Sequence, residues 1–200
     1  MTDGPLETFS TDRLIAERLR DEHFDELRRM HRDLRVMATL APAGAPNGGV
    51  LSDEETQQFL HRHLDHWNRY GYGLWVFRDK ADGRFVGRAG LYNTHVGGND
   101  EVELAYALVA EYWNRGLATE MARAILRVAF EQLQMGDMVC FTLTTNRPSR
   151  RVMEKVGFEY ERDAIHAGLP HVLYRMSALA WKEREGRLIQ PSGSGDERVS

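Results

Sequence analysis

The sequence holds a single cysteine, Cys140, among its 200 residues. One cysteine cannot form a disulfide within the chain, so we expect a protein of a reducing compartment, the cytoplasm. No apolar run approaches the roughly 20 residues that a transmembrane helix needs, and we expect no membrane partner. Residues 1–7 also lack the basic and apolar regions that are typical of a secretion signal.

The chain lacks an excess of positive charge as well. Its formal net charge is −4, whereas a non-specific nucleic-acid binder needs a basic surface, so we expect no nucleic-acid partner. The motifs Gly-x-x-x-x-Gly-Lys-Ser/Thr and Gly-x-Gly-x-x-Gly are both missing, which argues against a P-loop and a Rossmann site. A slightly acidic chain is ordinary, although it also suits a cationic acceptor such as an amine.

The composition is that of one folded domain. Hydrophobic residues make up 42% and charged residues 28% of the chain, as in globular proteins with a sizeable core. We expect a single domain over residues 10–182 and a C-terminal extension over residues 183–200. The extension is rich in Gly, Ser and charge, which predicts disorder from about residue 189. We expect a monomer or a homodimer.

Strand and helix patterns are interspersed along the chain, which predicts a mixed α/β or α+β sheet. The predicted strands cover residues 12–19, 73–78, 84–91, 101–109, 138–145, 158–163 and 171–178. The predicted helices cover residues 21–30, 52–70, 117–133 and 147–156. Loops are expected over residues 38–50, which are rich in Gly, Pro and Ala, and over residues 93–99.

Residues 102–120 carry the most informative pattern. An alternating apolar strand runs into a turn around Gly116, and a helical pattern follows at once. Such a turn directs several backbone N–H groups at one place, where the helix dipole favours an anion such as pyrophosphate. Gly116 has no Cβ, so a phosphate could approach the backbone closely. A glycine at this position can also serve the geometry of the turn alone, and this alternative stays open.

A second strand-to-helix junction lies further along the chain, at residues 139–158. Asn146 or Arg147 suits the helix cap, Pro148 suits the first turn, and Gly157 suits the residue that ends the helix. Together, the two junctions resemble the GNAT acetyltransferase superfamily, in particular its RimJ/RimL-like branch of ribosomal-protein N-terminal acetyltransferases. The resemblance covers roughly residues 10–180. It is carried by residues 11–19, 87–91, 103–106, 116–120, 146–149 and 154–158, in this order.

The resemblance implies a GNAT acyl-CoA N-acyltransferase fold, with a mixed, mostly antiparallel twisted sheet whose central strands splay apart between flanking helices. Acetyl-CoA, the implied co-substrate, would lie between strands 102–109 and 138–145. Leu108 and Val109 would pair with its pantetheine arm, and one of their N–H groups would polarise the thioester carbonyl. Its pyrophosphate would bind the amides of Asn114, Arg115, Gly116, Leu117, Ala118 and Thr119. Trp113 departs from the family pattern, which has Gln or Arg there.

Two side chains near the second junction are site candidates by resemblance. Ser149 matches the position whose hydroxyl stabilises or protonates the departing CoA thiolate. Asn146 matches the position that hydrogen-bonds the pantetheine. The alternative is that Asn146 only caps the helix while Ser149 faces solvent.

Two further side chains could move the acceptor's proton. Glu103 shares one strand face with Ala105 and Ala107 by alternation and is the candidate base for an ammonium acceptor. A solvated strand carboxylate is the alternative. Tyr174 is a second proton-relay candidate, with a half-exposed sheet aromatic as the alternative.

The histidines and the cysteine suggest no further chemistry. His63 and His66 are spaced i, i+3 on a predicted helix that also carries His61, but no Cys or paired Glu completes a metal site. We expect no metal and a solvated helix face there. Cys140 has no evident base beside it and is predicted to be a packed thiol.

The function that the resemblance implies is an acetyl-CoA-dependent N-acetyltransferase in which a primary amine attacks the thioester directly. The acceptor would be a protein N-terminal amine or a small-molecule amine, in a cleft lined by residues 31–51 and 93–100. Two alternatives stay open: a non-catalytic acyl-CoA-binding or sensor protein on the same fold, and an antibiotic-modifying acetyltransferase.

Overall fold

A computed structural model describes residues 6–40 and 49–189. These residues form one eight-stranded sheet with helices on both faces. The strands are β1 (Thr8–Ser10), β2 (Leu14–Arg18), β3 (Leu74–Asp79), β4 (Phe85–Val96), β5 (Asn99–Leu108), β6 (Asp137–Leu143), β7 (Glu159–His166) and β8 (Leu169–Ser177). The helices are α1 (Phe24–His31), α2 (Leu34–Leu40), α3 (Asp53–Tyr70), α4 (Leu117–Arg127), α5 (Arg147–Val156) and α6 (Ala178–Ile189).

The strand order across the sheet is β1-β2-β3-β4-β5-β6-β8-β7. Every neighbouring pair is antiparallel except β5 and β6, which run parallel and meet at a single pair of residues, Glu103 and Val139. No residue of β5 after Glu103 is paired with β6, which shows that the two strands diverge beyond that pair. This confirms the predicted mixed, mostly antiparallel sheet with splayed central strands.

A group of charged side chains holds β5 and β6 together where they still meet. Arg175 of β8 binds both carboxylate oxygens of Glu101 on β5, at 2.6 and 3.0 Å, and Asp137 at the start of β6, at 3.0 Å. It also bonds to Glu161 of β7. One guanidinium therefore ties four strands together beside the Glu103–Val139 pair and leaves the other end of β5 free.

The two faces of β5 pack against different helices. Leu104 and Leu108 belong to the main core cluster together with the buried stripe of α4. Ala107, on the opposite face, packs against Met30 of α1 and Val36 of α2. The alternation along one strand therefore separates a side covered by α4 and α5 from a side covered by α1, α2 and α3.

The prediction of a loop over residues 93–99 is wrong. Strand β4 extends to Val96 and β5 begins at Asn99, so only Gly97 and Gly98 connect them. Both glycines have positive φ, at 58° and 87°. Two such residues form a tight hairpin turn whose twist matches that of the strands.

The structure also adds elements at segments where the sequence pattern was weak. Helix α2 occupies residues 34–40, and its last three residues fall in the predicted loop over residues 38–50. It is too short to be stable by itself, and buried Val36 and Met37 show that packing supports it. Most of the rest of that predicted loop, residues 41–48, lies outside the described residues.

Both predicted domain boundaries fall next to or inside elements. Strand β1 begins at Thr8, before the boundary at residue 10. Helix α6 crosses the boundary at residue 182, and its Trp181 is buried against Phe130 with ring centroids 5.9 Å apart. The tail predicted to be disordered from about residue 189 lies almost wholly outside the described residues. Within residues 6–40 and 49–189, no helix combines the length and apolar character needed to cross a bilayer.

Replacing Arg175 with methionine should destabilise the fold. The Glu101 side chain is only 10% exposed and would lose both of its bonds to the guanidinium. Leaving a buried partner unpaired costs about 3–5 kcal/mol, and the cost is smaller at a partly exposed site, so we expect a loss of about 1–3 kcal/mol. Urea unfolding measures it. Glu161→Gln is the matched control with a smaller effect, and an unchanged midpoint for Arg175→Met would contradict the proposed role of this group.

Candidate active site

The free edge of β5 faces the gap that opens between β5 and β6. The Val109 N–H donates to the carbonyl of Val86, at 3.0 Å, just beyond the end of β5. Hydrogen-bonded pairs alternate along an antiparallel ladder, so every second residue before Val109 also bonds towards β4. The backbone groups of Tyr106 and Leu108 therefore point into the gap. An extended chain could pair with them as an added strand.

In this ladder the backbone N–H groups of the two predicted pantetheine-binding residues, Leu108 and Val109, point to opposite sides of β5. Leu108 presents its N–H to the gap, whereas the Val109 N–H is already bonded to β4. The Leu108 carbonyl accepts a hydrogen bond from the indole N–H of Trp113, at 2.9 Å. Trp113, the residue that departs from the family pattern, thus occupies one acceptor of the strand edge.

The turn between β5 and α4 brings together several backbone N–H groups that have no hydrogen-bond partner in the described part of the chain. Gly116 caps α4 in the left-handed conformation, at φ 76°, and Asn114 also has positive φ, at 59°. The first N–H groups of a helix have no intrahelical partner. No acceptor within the described residues bonds to the backbone N–H groups of residues 114–119. These groups and the helix dipole suit a phosphate group.

A positive side chain lies beside this turn. Arg13, just before β2, donates to the carbonyl of Arg115 at 2.9 Å and forms an ion pair with Glu120 of α4 at 2.7 Å. The Arg115 guanidinium itself lies over the ring of Tyr112, 5.0 Å from its centroid. The sequence analysis missed Arg13, because the link between β2 and α4 is made only in the folded chain.

Tyr106 of β5 holds Ser149, at the start of α5, beside the gap between β5 and β6. The Tyr106 hydroxyl lies 2.9 Å from Ser149 Oγ and 3.0 Å from the Ser149 carbonyl oxygen. Burial raises the pKa of Tyr106 well above its usual value, so the phenol keeps its proton. When that proton is donated to Ser149 Oγ, the serine proton is free for another acceptor. Sequence analysis placed Tyr106 on the strand but assigned it no role.

Asn146 has the capping role that was left open. Its side-chain oxygen accepts from the Ser149 N–H at 3.2 Å, which fixes the first turn of α5. Its amide group makes a long contact of 3.5 Å with the Thr39 carbonyl of α2. Asn146 thus orients Ser149. Its predicted contact with pantetheine stays a prediction.

Glu103 lies on the other face of β5, as the alternation predicted. Burial raises the pKa of its carboxyl to about 7, and nearby Arg88 opposes that shift. No hydrogen bond from a described residue reaches this carboxylate. Glu103 is half-buried, and a pKa near 7 suits a general base at neutral pH.

Aromatic and histidine side chains from α1, α3 and β4 cover this face. His63 packs against Phe59 and Tyr92, with centroids 4.3 and 4.6 Å apart, and Tyr92 lies opposite Glu103 in the ladder. Burial lowers the pKa of His63 to about 2 and that of His31 to about 3, so both are neutral at pH 7.

The predicted solvated histidine face is therefore wrong for two of its three residues. His63 and His66 are buried, and His66 bridges the Tyr72 carbonyl, at 2.9 Å, and Asn93, at 3.0 Å; only His61 is exposed. Aromatic packing and these bonds account for the burial. No group of three or more potential metal ligands occurs among the residues that the structure describes.

Tyr174 and Cys140 lie in the packed part of the sheet. The Tyr174 hydroxyl donates to Glu154 at 3.0 Å and accepts from Arg150 at 3.3 Å, both on α5. Tyr174 is buried rather than half-exposed, and these bonds anchor α5. Its relay role remains an untested prediction. Cys140 is buried and burial raises the pKa of its thiol, as expected for a packed cysteine.

Comparison with known proteins connects this geometry to a family. A family model described as an acetyltransferase (GNAT) domain matches residues 13–159. The uncharacterised protein YkkB of Bacillus subtilis is 29% identical over 63% of this chain and 73% of its own length. The FsC-acetyl coenzyme A-N(2)-transacetylase of Aspergillus fumigatus is 30% identical over 80% of this chain and 68% of its own length.

Solved structures share the fold. A GNAT-family acetyltransferase structure from Bordetella pertussis is 26% identical, with a TM-score of 0.73 over 85% of this chain and 99% of its own. RimL, the ribosomal L7/L12 α-N-protein acetyltransferase solved with coenzyme A, has a TM-score of 0.69 over 86% of this chain and 98% of its own. At 16% identity, the RimL likeness shows the fold alone.

Replacing Glu103 with glutamine should change how stability depends on pH. The pKa of Glu103 is raised from 4.5 to about 7 in the folded protein, so the fold binds this proton more tightly than the unfolded chain does. The ionised carboxylate therefore lowers the free energy of unfolding as the pH rises from about 4.5 to above about 7. Glutamine carries no charge and escapes this loss.

Urea midpoints of the two proteins at about pH 4, 6 and 8 measure the effect. The advantage of Glu103→Gln over the wild type should be small at the lowest pH and largest at the highest. A difference that stays constant with pH would show that Glu103 titrates normally.

Proposed function

Because this chain belongs to the GNAT acetyltransferase family, we propose that it transfers the acetyl group of acetyl-CoA to the nitrogen of a primary amine. One observation carries the proposal. The gap between β5 and β6 has a hydroxyl donor, Ser149, on one side of β5 and a carboxylate that titrates near neutral pH, Glu103, on the other. A proton donor and a proton acceptor thus flank the strand edge that would bind the thioester.

The residues around the gap fit acetyl-CoA, the co-substrate of the family. The free N–H groups of residues 114–119 would bind the pyrophosphate, with Arg13 beside them. The pantetheine would pair with the edge of β5 at Tyr106 and Leu108, while Val109 contributes packing alone. This route leads from the turn to Ser149.

The transfer removes two protons from the acceptor nitrogen and supplies one to the departing sulfur. Glu103, directly or through water, takes a proton from the acceptor's ammonium group, and the neutral nitrogen then attacks the thioester carbonyl carbon. A C–N bond forms, the C–S bond breaks, and the bonding electrons leave with sulfur. The Ser149 hydroxyl stabilises or protonates that thiolate, and the second proton of the nitrogen, released as the amide forms, replaces the proton that sulfur takes up. The products are the acetylated amine and CoA with a free thiol.

Among the titratable groups on this face, Glu103 is the best base. The His31 and His63 pKa values are too low for either imidazole to take a proton at neutral pH. A base of pKa about 7 suits a weakly basic amine better than a lysine-like one, because an α-amine has a pKa of about 7.7–8.0 and lysine about 10.4. We therefore favour an α-amine acceptor, as a RimJ/RimL-like enzyme would use. The relative named as an N(2)-transacetylase is consistent with an amine acceptor.

Thiol release from acetyl-CoA should occur with an N-terminal peptide and exceed that with a lysine side-chain analogue. The ratio of kcat/KM between wild type and Glu103→Gln cancels the ionisation of the amine itself. That ratio should rise with pH and level off above about 7, as Glu103 becomes deprotonated. A preference for the lysine analogue, with a ratio independent of pH, would contradict both the acceptor class and the base.

Binding of acetyl-CoA is measured separately, as a shift in melting temperature. A ligand at a hundredfold its Kd adds about 2.7 kcal/mol to the free energy of unfolding. Gly116→Glu should abolish this shift, because it adds a negative charge where the phosphates would bind. A shift in the wild type without thiol release over a broad panel of amines would favour the non-catalytic sensor. No shift at all would overturn the cofactor assignment.

Ser149→Ala should lower kcat about 10–100-fold while the Kd for acetyl-CoA changes less than about threefold, since water can partly replace the hydroxyl. Tyr106→Phe removes the contacts of the phenol with Ser149 Oγ and with the Ser149 carbonyl, and it should lower kcat by about 3–10-fold. Single-turnover kinetics isolate the chemical step. If both variants keep the wild-type rate in that step, neither hydroxyl takes part in the reaction.

A further inference from the structure

Arg88 is a buried arginine with no acidic partner at bonding distance. It lies on β4 opposite Ala107, so its side chain is on the same face of the sheet as Glu103. The residue is 9% exposed, and its Nε is a buried donor without a partner. Within residues 6–40 and 49–189, its guanidinium makes no hydrogen bond and no ion pair. Burying a donor such as this Nε without a partner costs free energy, because the donor loses its hydration without compensation.

Other partly buried arginines of this sheet are paired. Arg78 on the neighbouring strand β3 binds Glu26 through two bonds, at 2.7 and 3.0 Å, and Glu17 at 2.9 Å. Arg175 has three acidic partners. These arginines bind carboxylates directly, whereas the carboxylate that acts on Arg88, that of Glu103, lies beyond bonding distance. Positions that break such a rule concentrate at functional sites.

The surroundings of Arg88 hold its guanidinium in place without neutralising it. The group stacks over the Phe59 ring, 4.6 Å from the centroid. His31 and His63 next to it are neutral, and His63 Nδ1 is a second buried polar atom without a partner. Burial lowers the pKa of Arg88 to about 10, so it stays charged at neutral pH. This region therefore favours an anion.

We infer that Arg88 binds a carboxylate of the acceptor, which is then a primary amine whose own molecule also carries a carboxylate. A guanidinium matches a carboxylate with two parallel hydrogen bonds. With the carboxylate at Arg88, the amine of the same molecule lies towards Glu103 on the same face. The inference rests on the proposed function. The carboxylate can belong to a free amino acid or to an acidic side chain near the start of an N-terminal peptide.

The first test is binding and does not depend on turnover. The probes are N-acetylalanine and N-acetylphenylalanine, each paired with its α-carboxamide, and N-acetylglutamate α-amide paired with N-acetylglutamine α-amide, all titrated into the full chain with saturating CoA. We expect at least one acid to bind better than its amide. Arg88→Met should raise the Kd of that acid about 10–100-fold, the loss of a charge-assisted pair, and leave the Kd of the amide within about threefold.

Two further variants serve as controls for this test. Arg78→Met removes a paired arginine from the adjacent strand and should leave the ratio of acid to amide affinity unchanged. Arg88→Lys keeps the charge without the planar geometry and should fall between wild type and Arg88→Met. Should Arg88→Met fail to fold, Arg88→Lys and the wild-type ratio still decide the matter.

The second test separates the two sources of the carboxylate. Thiol release is compared for alanine against alaninamide, and for N-terminal peptides with glutamate against glutamine at the second residue. Preference for the acid in one pair, lost in Arg88→Met, supports the inference and identifies the source. Equal binding of every acid and amide, or equal weakening of both by Arg88→Met, overturns it. Binding of an acid without turnover of any amine would instead overturn the proposed function.

Discussion

The divergence of β5 from β6 is the constraint on which the site depends. The two strands meet at Glu103 and Val139, and Arg175 holds them there through Glu101 and Asp137. Among the described residues, β5 has no partner strand on one side beyond that point, and its backbone groups there stay free except for the Leu108 carbonyl, which Trp113 binds. Were β6 to remain paired along the whole of β5, those groups would be used within the sheet. The gap would then be closed to an extended ligand.

The alternation of β5 gives the two sides of this gap different chemistry. Tyr106 points towards α5 and contacts Ser149, a hydroxyl pair that can supply a proton. Glu103 points the other way, towards α1, α2 and α3, where burial keeps its pKa near 7. A strand whose side chains alternate can thus separate a proton donor from a proton acceptor by the thickness of the sheet, with the reacting bond between them.

The Glu103 face also holds buried polar groups without partners in the part of the chain that the structure describes. Arg88 and His63 both have such nitrogen atoms, whereas Arg78 and Arg175 of the same sheet bind carboxylates. Arg88 lowers the pKa of Glu103 while burial raises it, and the balance sets the pKa near 7. A ligand anion at Arg88 would weaken that opposing effect. Acceptor binding and the basicity of Glu103 are therefore physically coupled on this face.

The sequence by itself determined what depends on local pattern: most strands and helices, the Gly116 turn, the α5 cap at Asn146, and the face on which Glu103 lies. It did not predict the hairpin at Gly97 and Gly98, although its turn chemistry is local. Only the tertiary structure decided the contacts between distant segments. The bond from Tyr106 to Ser149, the burial of His63 and the unpaired Arg88 each depend on which elements pack together. Burial and long-range pairing arise from the whole fold, and they set the pKa values and the free donors of the site.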